Sequence, residues 1–505
     1  MTLKDLKSIY PPSRQSSSGY EGRKLAELKD KEIHLIGVSG TEMSGLAFFL
    51  SSLGCKNLIG HDFKTKAEFK KSFFNYHEKI KPSELNKLFL KLNNGLKKIN
   101  YKDKYLQGIE GADIIFSTSS WFRYQPNKPL FKILQNIYPP KLGERRGKKI
   151  IFWNWYNLLL EFYPGLWVGI TGTAGKGTAT NVSHHLLKTA GKKSQLIGDS
   201  WQSLDFISLF KNASKTVLIA EVNNRTLTFA KYSKKSPKIA VITNIFPHHL
   251  DDHHNSFNEY KKVKLEIAKY QQPGDKIILN GDDAVLRQSS FKKRAIFYSL
   301  KDKDAKLINN DYLNSPHLKS DALAAAKVAR LLKVSEAKIK RGFKTFKPRS
   351  GRMQTIRILR GVKYVDDAAA TRIQSAILAV ESFAKGKVIL ILEGMRKNPK
   401  DFSVEFKKLI SVLKANKVKA VCISGKISHY LTPLLKQAGL NVFSMPDLTA
   451  SVKQAKVLAK AGEVVLLSPA CESFGEFKDY RERSAKFKKT VLSFSAPGGP
   501  ASGGK

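Results

Sequence analysis

The sequence predicts an α/β protein of three domains, on three observations. Short apolar runs rich in β-branched residues alternate with helix-length segments along nearly the whole chain. Two of these runs, EIHLIGV at Glu32–Val38 and LWVGIT at Leu166–Thr171, lead directly into glycine-rich turns that open helical patterns. Finally, 505 residues are too many for one core and suit units of roughly 100–200 residues each.

Residues 1–30 are polar, with Pro11-Pro12 and a serine-rich run, and read as a loose leader. A first, Rossmann-like domain is expected over 31–160, with strands at Glu32–Val38, Asn57–Gly60 and Ala112–Ser117, and a helix at Met43–Leu53. A second domain, over 161–346, has strands at Leu166–Thr171, Thr216–Val222, Lys238–Thr243 and Lys276–Asn280, and closes on a helix at Ser320–Leu332. This alternation suits a P-loop ATPase-type parallel sheet covered on both faces. A third domain, again Rossmann-like, is expected over 347–494, with strands at Lys363–Val365, Lys387–Leu392, Val418–Ile423 and Glu463–Leu467. Residues 495–505, SAPGGPASGGK, read as a flexible tail.

Composition narrows the function classes. Hydrophobic residues at 42% and aromatic residues at 10% supply ample core material. The formal charge of +46 points to anionic partners, but the lysines are scattered and no nucleic-acid-binding motif accompanies them. No nucleic-acid partner is therefore expected. Three dispersed cysteines, Cys55, Cys422 and Cys471, argue against disulfides and zinc. The most apolar stretch, Ile150–Trp167, is broken by Asn154, Asn157, Glu161 and Pro164, so no bilayer span is expected and the chain reads as a cytoplasmic monomer.

The chemistry begins at Gly172-Thr173-Ala174-Gly175-Lys176-Gly177-Thr178, between a buried strand and a helix. Such a loop offers backbone N–H groups and a helix N-terminus to phosphate oxygens, with Lys176 reaching the β and γ phosphates. The usual G-x-x-x-x-G-K-[ST] pattern fails, because Ile170 holds its first glycine position and Gly177 its Ser/Thr position. Glu221 ends the apolar strand VLIAEV and is a candidate ligand for Mg²⁺, which prefers hard oxygens. Read alone, it would be an ordinary strand-end carboxylate.

The run ITGTAGKGT resembles the phosphate loop of the Mur ligase and folylpolyglutamate synthase superfamily. Thr243–Asp251 with His253, Tyr260 and Lys264 is similar to the Mur ligase signature T-N-x-x-x-D-H-L-D-x-H…Y-x-x-x-K. The resemblance implies ATP and Mg²⁺ as cofactors, with Gly172, Thr173, Gly175, Lys176, Gly177 and Thr178 on the nucleotide and Thr178, Glu221, His249 and Lys264 at the metal. Lys264 would be the lysine that the family carbamylates, fifteen residues after His249. Asn280, in an N-x-D-D turn, and His317, in a diverged G-x-H-N-x-x-N-A-L whose asparagines have become Leu318 and Asp321, match further nucleotide contacts. Arg352, in GRMQ, matches an arginine that meets ATP from the third domain, and Asp367, in VDDAAAT, matches another nucleotide residue. The lysine of that last motif is Ala369 here, His248 replaces an aspartate, and Asp199 stands where an asparagine holds substrate and metal.

The run from Leu466 to Arg483, LLSPACESFGEFKDYRER, resembles the D-glutamate-adding members of the Mur ligase family. By that match Ser473, Phe474 and Tyr480 line the glutamate site, with Thr371 and Lys397 pairing its carboxylates. In the first domain the family binds a UDP-linked muramoyl substrate, here on Gly37, Ser39 and Gly40, with Asp62 near the uracil and Asp199 toward the acceptor. The resemblance spans about residues 32–490 and implies acyl-phosphate chemistry in peptidoglycan precursor synthesis. Three other readings stay open: another Mur ligase, a folylpolyglutamate synthase-type ligase, or a degenerate homologue that binds precursor without turnover.

Overall fold

A computed structural model describes residues 25–77, 80–137, 150–198, 205–211, 213–248, 250–396 and 399–494. The chain divides into two compact units, Met1–Asn309 with Lys319–Lys344, and Asn310–Leu318 with Thr345–Lys505.

The first unit holds two parallel sheets. In one, β1 (Ile33–Ile36), β2 (Leu58–Asp62), β3 (Lys98–Tyr101), β4 (Ile114–Ser117) and β5 (Ile151–Trp153) lie in the order β3-β2-β1-β4-β5. In the other, β6 (Trp167–Thr171), β7 (Ser194–Ile197), β8 (Val217–Glu221), β9 (Ile239–Ile242), β10 (Lys276–Asn280) and β11 (Ala295–Tyr298) lie in the order β11-β10-β9-β6-β8-β7. Central strands such as β6 and β9 are buried along their whole length, which explains their continuous apolar character.

One hydrophobic core runs through both sheets. Phe49, from the helix Thr41–Ser52, stacks on Phe210 with centroids 4.9 Å apart, and Phe152 of β5 stacks on Phe229 at 5.0 Å. Between the sheets sits the helix Trp155–Phe162, started by a capping box in which Asn154 and Asn157 satisfy each other's backbone. Asn157 Nδ2 then donates to the Phe229 carbonyl at 2.9 Å, fixing the helix to the second sheet's side.

The second unit is built on β12 (Gln354–Leu359), β13 (Val362–Asp366), β14 (Val388–Glu393), β15 (Ala420–Ile423), β16 (Val442–Ser444) and β17 (Val464–Ala470), in the order β12-β13-β17-β14-β15-β16. All neighbours are parallel except β12 and β13, so this sheet is mixed where an all-parallel one fits the sequence pattern equally well. Arg360 and Gly361 join the hairpin with φ of 51° and 75°, the left-handed pair that a two-residue turn requires. Helices 373–381, 403–415 and 428–437 cover one face and helices 448–458 and 480–492 the other.

Each strand expected from an apolar run forms within one to three residues of its expected bounds. The expected helices Met43–Leu53 and Ser320–Leu332 form as Thr41–Ser52 and Pro316–Leu331. β3, β5, β7, β11, β12 and β16 have no counterpart among the expected strands.

In the first sheet two fully buried histidines stack at 4.9 Å, with His34 Nδ1 and His61 Nε2 2.8 Å apart. Burial depresses both, His61 to about 3 from an ordinary 6.5, so the folded state holds them neutral. The unfolded chain binds protons that the folded one refuses, so this stability is complete above pH 6.5 and is lost as pH falls toward the folded value. The first unit's unfolding free energy, followed by denaturant titration, is expected to fall by up to about 1.4 kcal/mol per pH unit per histidine below pH 6.5. A His61→Phe chain with an undiminished slope would place the acid sensitivity elsewhere.

Candidate nucleotide and amino-acid sites

The phosphate loop owes its shape to two glycines. Gly172 has φ 149°, and a Cβ there would fall 1.9 Å from Thr243 Oγ1. Gly175 has φ 79°, and its Cβ would fall 2.0 Å from Asp321 Oδ1. Any side chain at either position collides with the wall behind the loop. The segment after β9 supplies that wall: Thr243 Oγ1 donates to the Ala174 carbonyl at 2.6 Å, and the Asn244 amide accepts from Ala174 N at 2.8 Å. Thr173 Oγ1 is held by the Tyr260 hydroxyl at 3.1 Å and donates to the Phe246 carbonyl.

The helix Lys176–Thr189 starts at Gly175 with no side-chain cap, leaving its first turn oriented for an anion. Lys176 Nζ donates to the Thr173 carbonyl at 3.2 Å, curling back over the loop. Lys264 approaches from beneath, 1% exposed, with Nζ donating to the Gly172 carbonyl at 2.9 Å and to Thr171 Oγ1 at 3.4 Å. Glu221, at the end of β8, brings Oε2 to 3.1 Å from a Cβ built on Gly177. Thr178 lies in the same first turn as Gly177.

Hard oxygens at Glu221 and Thr178 beside the loop suit a magnesium ion that takes its remaining ligands from phosphate and water. Among the described residues no group of three or more His, Cys, Asp or Glu gathers to form a metal cage. His249 and Asp199 lie outside the described residues. Asn280 turns inward: its Nδ2 donates to the Thr243 carbonyl at 3.0 Å, and its Oδ1 accepts from Asp282 N, bracing the wall of the loop.

At the carboxyl end of the first sheet, Gly37, Ser39, Gly40 and Asp62 come together. Gly37 takes φ 83° and Gly40 caps the helix Thr41–Ser52, while Asp62 Oδ2 accepts from Ser39 N at 3.1 Å. Sequence reasoning missed Lys64, whose Nζ reaches Ser39 Oγ at 3.5 Å and lies over the Tyr76 ring at 5.5 Å. It supplies a cation where an anionic group is expected. Glu42, also missed, accepts from Ser119 N and Oγ, and Ser119 Oγ in turn accepts from Thr226 at 3.1 Å, joining the first glycine turn to the segment after β8.

In the second unit the strand order reverses between β14 and β17, and ligands of open α/β sheets bind outside the carboxyl ends at such a point. Arg396 spans that point, its Nη2 donating to the carbonyls of Thr371 and Ala470 at 2.8 Å each. Ser473 follows, 4% exposed, then Phe474, 55% exposed at the rim of a cavity of about 770 Å³ shared with Glu393, Lys426, His429 and Asp447. Tyr480 opens the helix that carries Arg483. Arg483 is fully buried, pairs with Glu393 at 2.8 Å and donates to the carbonyls of Ala368 and Cys471. Asp367 accepts from Ser468 Oγ at 2.8 Å and Met353 N at 3.2 Å; burial raises its carboxyl to about 7 against the pull of those bonds and of Arg352. His317 is likewise depressed to about 4 by burial. Ala369 presents a methyl group, and its N–H is bound to the Gly351 carbonyl. Lys397 lies outside the described residues.

A Gly172→Ala chain is expected to keep its circular dichroism and lose nucleotide affinity by more than about 100-fold in an equilibrium titration, because the loop must shift by ångströms. A Gly191→Ala chain, whose Cβ would meet nothing within 4 Å, is the control and is expected to bind normally.

Residues 170–339 match the Mur ligase middle domain and residues 351–471 match the Mur ligase, glutamate ligase domain. The chain is 27% identical over 497 residues to the UDP-N-acetylmuramoylalanine--D-glutamate ligase of Caldanaerobacter subterraneus subsp. tengcongensis, covering 92% of this chain and 99% of that one. It is 31% identical over 367 residues to the enzyme of the same name from Rubrobacter xylanophilus, covering 69% and 80%. Among solved structures, UDP-N-acetylmuramate-alanine ligase MurC from Thermotoga maritima shares the fold with a TM-score of 0.54 at 16% identity, covering 92% of this chain and 99% of that one. A pseudomurein peptide ligase type C from Methanothermus fervidus does so with a TM-score of 0.50 at 19% identity, covering 92% and 100%. The chain belongs to the Mur ligase family of ATP-dependent amide-bond-forming enzymes.

Proposed function

We propose that this chain adds D-glutamate to UDP-N-acetylmuramoyl-L-alanine. The observation that carries the reading is the run Leu466–Arg483, which resembles the glutamate-adding members and whose Ser473 and Phe474 follow the strand end at which Arg396 links Ala470 to Thr371. The names of the relatives matched over most of the chain support it.

In this reading residues 31–160 hold the UDP-linked precursor, 161–346 hold ATP and 347–494 hold the amino acid. The precursor carboxylate attacks the γ-phosphorus of ATP, ADP leaves, and the acyl phosphate is then attacked by the glutamate amine, which loses a proton as phosphate departs. Little covalent work falls to the protein, whose part is alignment and charge neutralisation. Lys176 and the uncapped helix turn take the phosphate charge, and Gly37, Ser39 and Gly40 take the diphosphate, with Lys64 beside them and Asp62 toward the base. Thr371, Lys397, Ser473, Phe474 and Tyr480 receive the glutamate. Asn280, His317, Arg352 and Asp367 complete the nucleotide contacts, and Asp199 the acceptor end. Magnesium, held through Thr178, Glu221 and His249, would neutralise the transferred phosphoryl group. Lys264 is the carbamylation site in this reading: a carbamate there converts a cation beneath the loop into a carboxylate.

Phosphate release with ATP, D-glutamate and UDP-N-acetylmuramoyl-L-alanine is the direct test. It is expected to exceed release with L-glutamate, or with UDP-N-acetylmuramate and L-alanine, and to fall at least about 100-fold in a Lys176→Ala chain. Preference for L-alanine or for a folate acceptor would overturn the assignment.

A further inference from the structure

The phosphate loop rests on a carboxyl group that the reaction scheme leaves without a task. Asp321, in the helix Pro316–Leu331, is 4% exposed, and its two oxygens lie 2.0 and 2.6 Å from a Cβ built on Gly175. Among the described residues no hydrogen bond reaches either oxygen; burial pushes the carboxyl up and the charge of Lys176 pulls it down. A buried acid with no hydrogen-bond donor upon it, pressed against a loop built for phosphates, has either to be neutral or to oppose the ligand.

We propose that Asp321 is a positioning residue which admits the ATP polyphosphate to the loop only as a neutral carboxylic acid, so that in alkaline solution, where the carboxyl is ionised, nucleotide binding takes up one proton from solvent at Asp321. An asparagine has the shape of an aspartic acid and no charge. Protonation gives Asp321 the same neutrality, and the O–H it creates is a donor that can face phosphate.

The surroundings supply no competing explanation. Lys176 is the cation that faces Asp321, and it is also the cation that the phosphates require. From β11 comes Tyr298, a phenol whose ionisation burial pushes far upward. Asp283, after β10, is engaged by Ile245 N and Leu286 N, and Asp282 by Leu300 N. Lys264 binds the Gly172 carbonyl under the opposite end of the loop. On its own helix His317, four residues earlier, is depressed to about 4 and neutral. Burial raises Asp321 itself to about 8, so the carboxyl is mostly neutral at pH 7 and ionises as pH rises through that value.

The inference rests on reading Gly172–Thr178 as the ATP loop, and the test separates the two. ATP binding to the full-length chain and to an Asp321→Asn chain is measured by titration calorimetry between pH 7.5 and 9.5, in two buffers of different ionisation enthalpy. Above about pH 8 the dissociation constant of the unaltered chain is expected to rise about tenfold per pH unit, with proton uptake on binding. The asparagine chain is expected to show neither and to bind at least about tenfold more tightly at pH 9.5. Parallel pH profiles would overturn the proposal, as would loss of binding in the asparagine chain at every pH, which would mean that the ionised carboxylate is needed. If neither chain binds ATP at any pH, the loop reading fails and takes this inference with it.

Discussion

The nucleotide side of this enzyme depends on one steric constraint, the absence of a Cβ at Gly172 and Gly175. Because both lack side chains, the Thr243 hydroxyl and the Asp321 carboxyl can touch the loop from behind. That contact is what lets Thr243, Asn244, Tyr260 and Lys264 reach the loop's own backbone and hydroxyl groups. The loop is therefore held from three chain segments in the protein alone. A ligand meets a formed cradle and does not bear the ordering cost.

The second unit reaches similar rigidity by another means. Its turns after β13, β14 and β17 are tied by guanidinium groups: Arg396 binds the Thr371 and Ala470 carbonyls, and Arg483 binds those of Ala368 and Cys471. Arginine suits this task because its planar fork carries several donors in fixed directions. Arg483 has no exposed surface and depends on Glu393, whose carboxyl burial raises to about 7 even against that pairing. Truncating the arginine would leave the acid buried and alone, which typically costs about 3–5 kcal/mol. Ala369 lies inside this framework, next to the Ala368 carbonyl that Arg483 engages and with its own N–H bound to the Gly351 carbonyl.

What could be read in the sequence follows from where each residue's partners lie. Strands such as β6, β9 and β14 sit between neighbours and are buried on both faces, so they appear as unbroken apolar runs. The six unanticipated strands are the two edges of each sheet, and composition hides three of them: β3 reads KINY, β7 SQLI and β12 QTIRIL, each with one buried position and the rest exposed or half-exposed. Edge strands need polar and charged residues to resist unwanted pairing, and that same need removes the alternation by which a strand is recognised. β5, β11 and β16 are the exceptions, largely apolar but only three or four residues long: they read IFW, AIFY and VFS, and β5 is fused to a buried helix. The site divides in the same way. The Gly172–Thr178 loop and the Leu466–Arg483 run are local in sequence and were legible; Lys64 and Glu42 act through Ser39, Ser72 and Ser119, partners that only the fold brings near.

Asp321 shows how the same residue changes meaning between the two levels. As a letter in a motif it is a departure that weakens a nucleotide contact, since a carboxylate repels what an amide would receive. In the fold it is a group removed from water, and removal from water favours the proton over the charge. Two lysines, Lys176 and Lys264, and two acids, Glu221 and Asp321, then surround one loop. With every group ionised the four charges cancel, and the loop would present no net attraction to a polyphosphate beyond its backbone dipoles. A proton on Asp321 leaves the balance positive, and a carbamate on Lys264 would reverse it again and call for a divalent cation. The loop's affinity for a polyanion is thus set by which of these four groups carries its charge, a quantity that burial controls and that a motif does not encode.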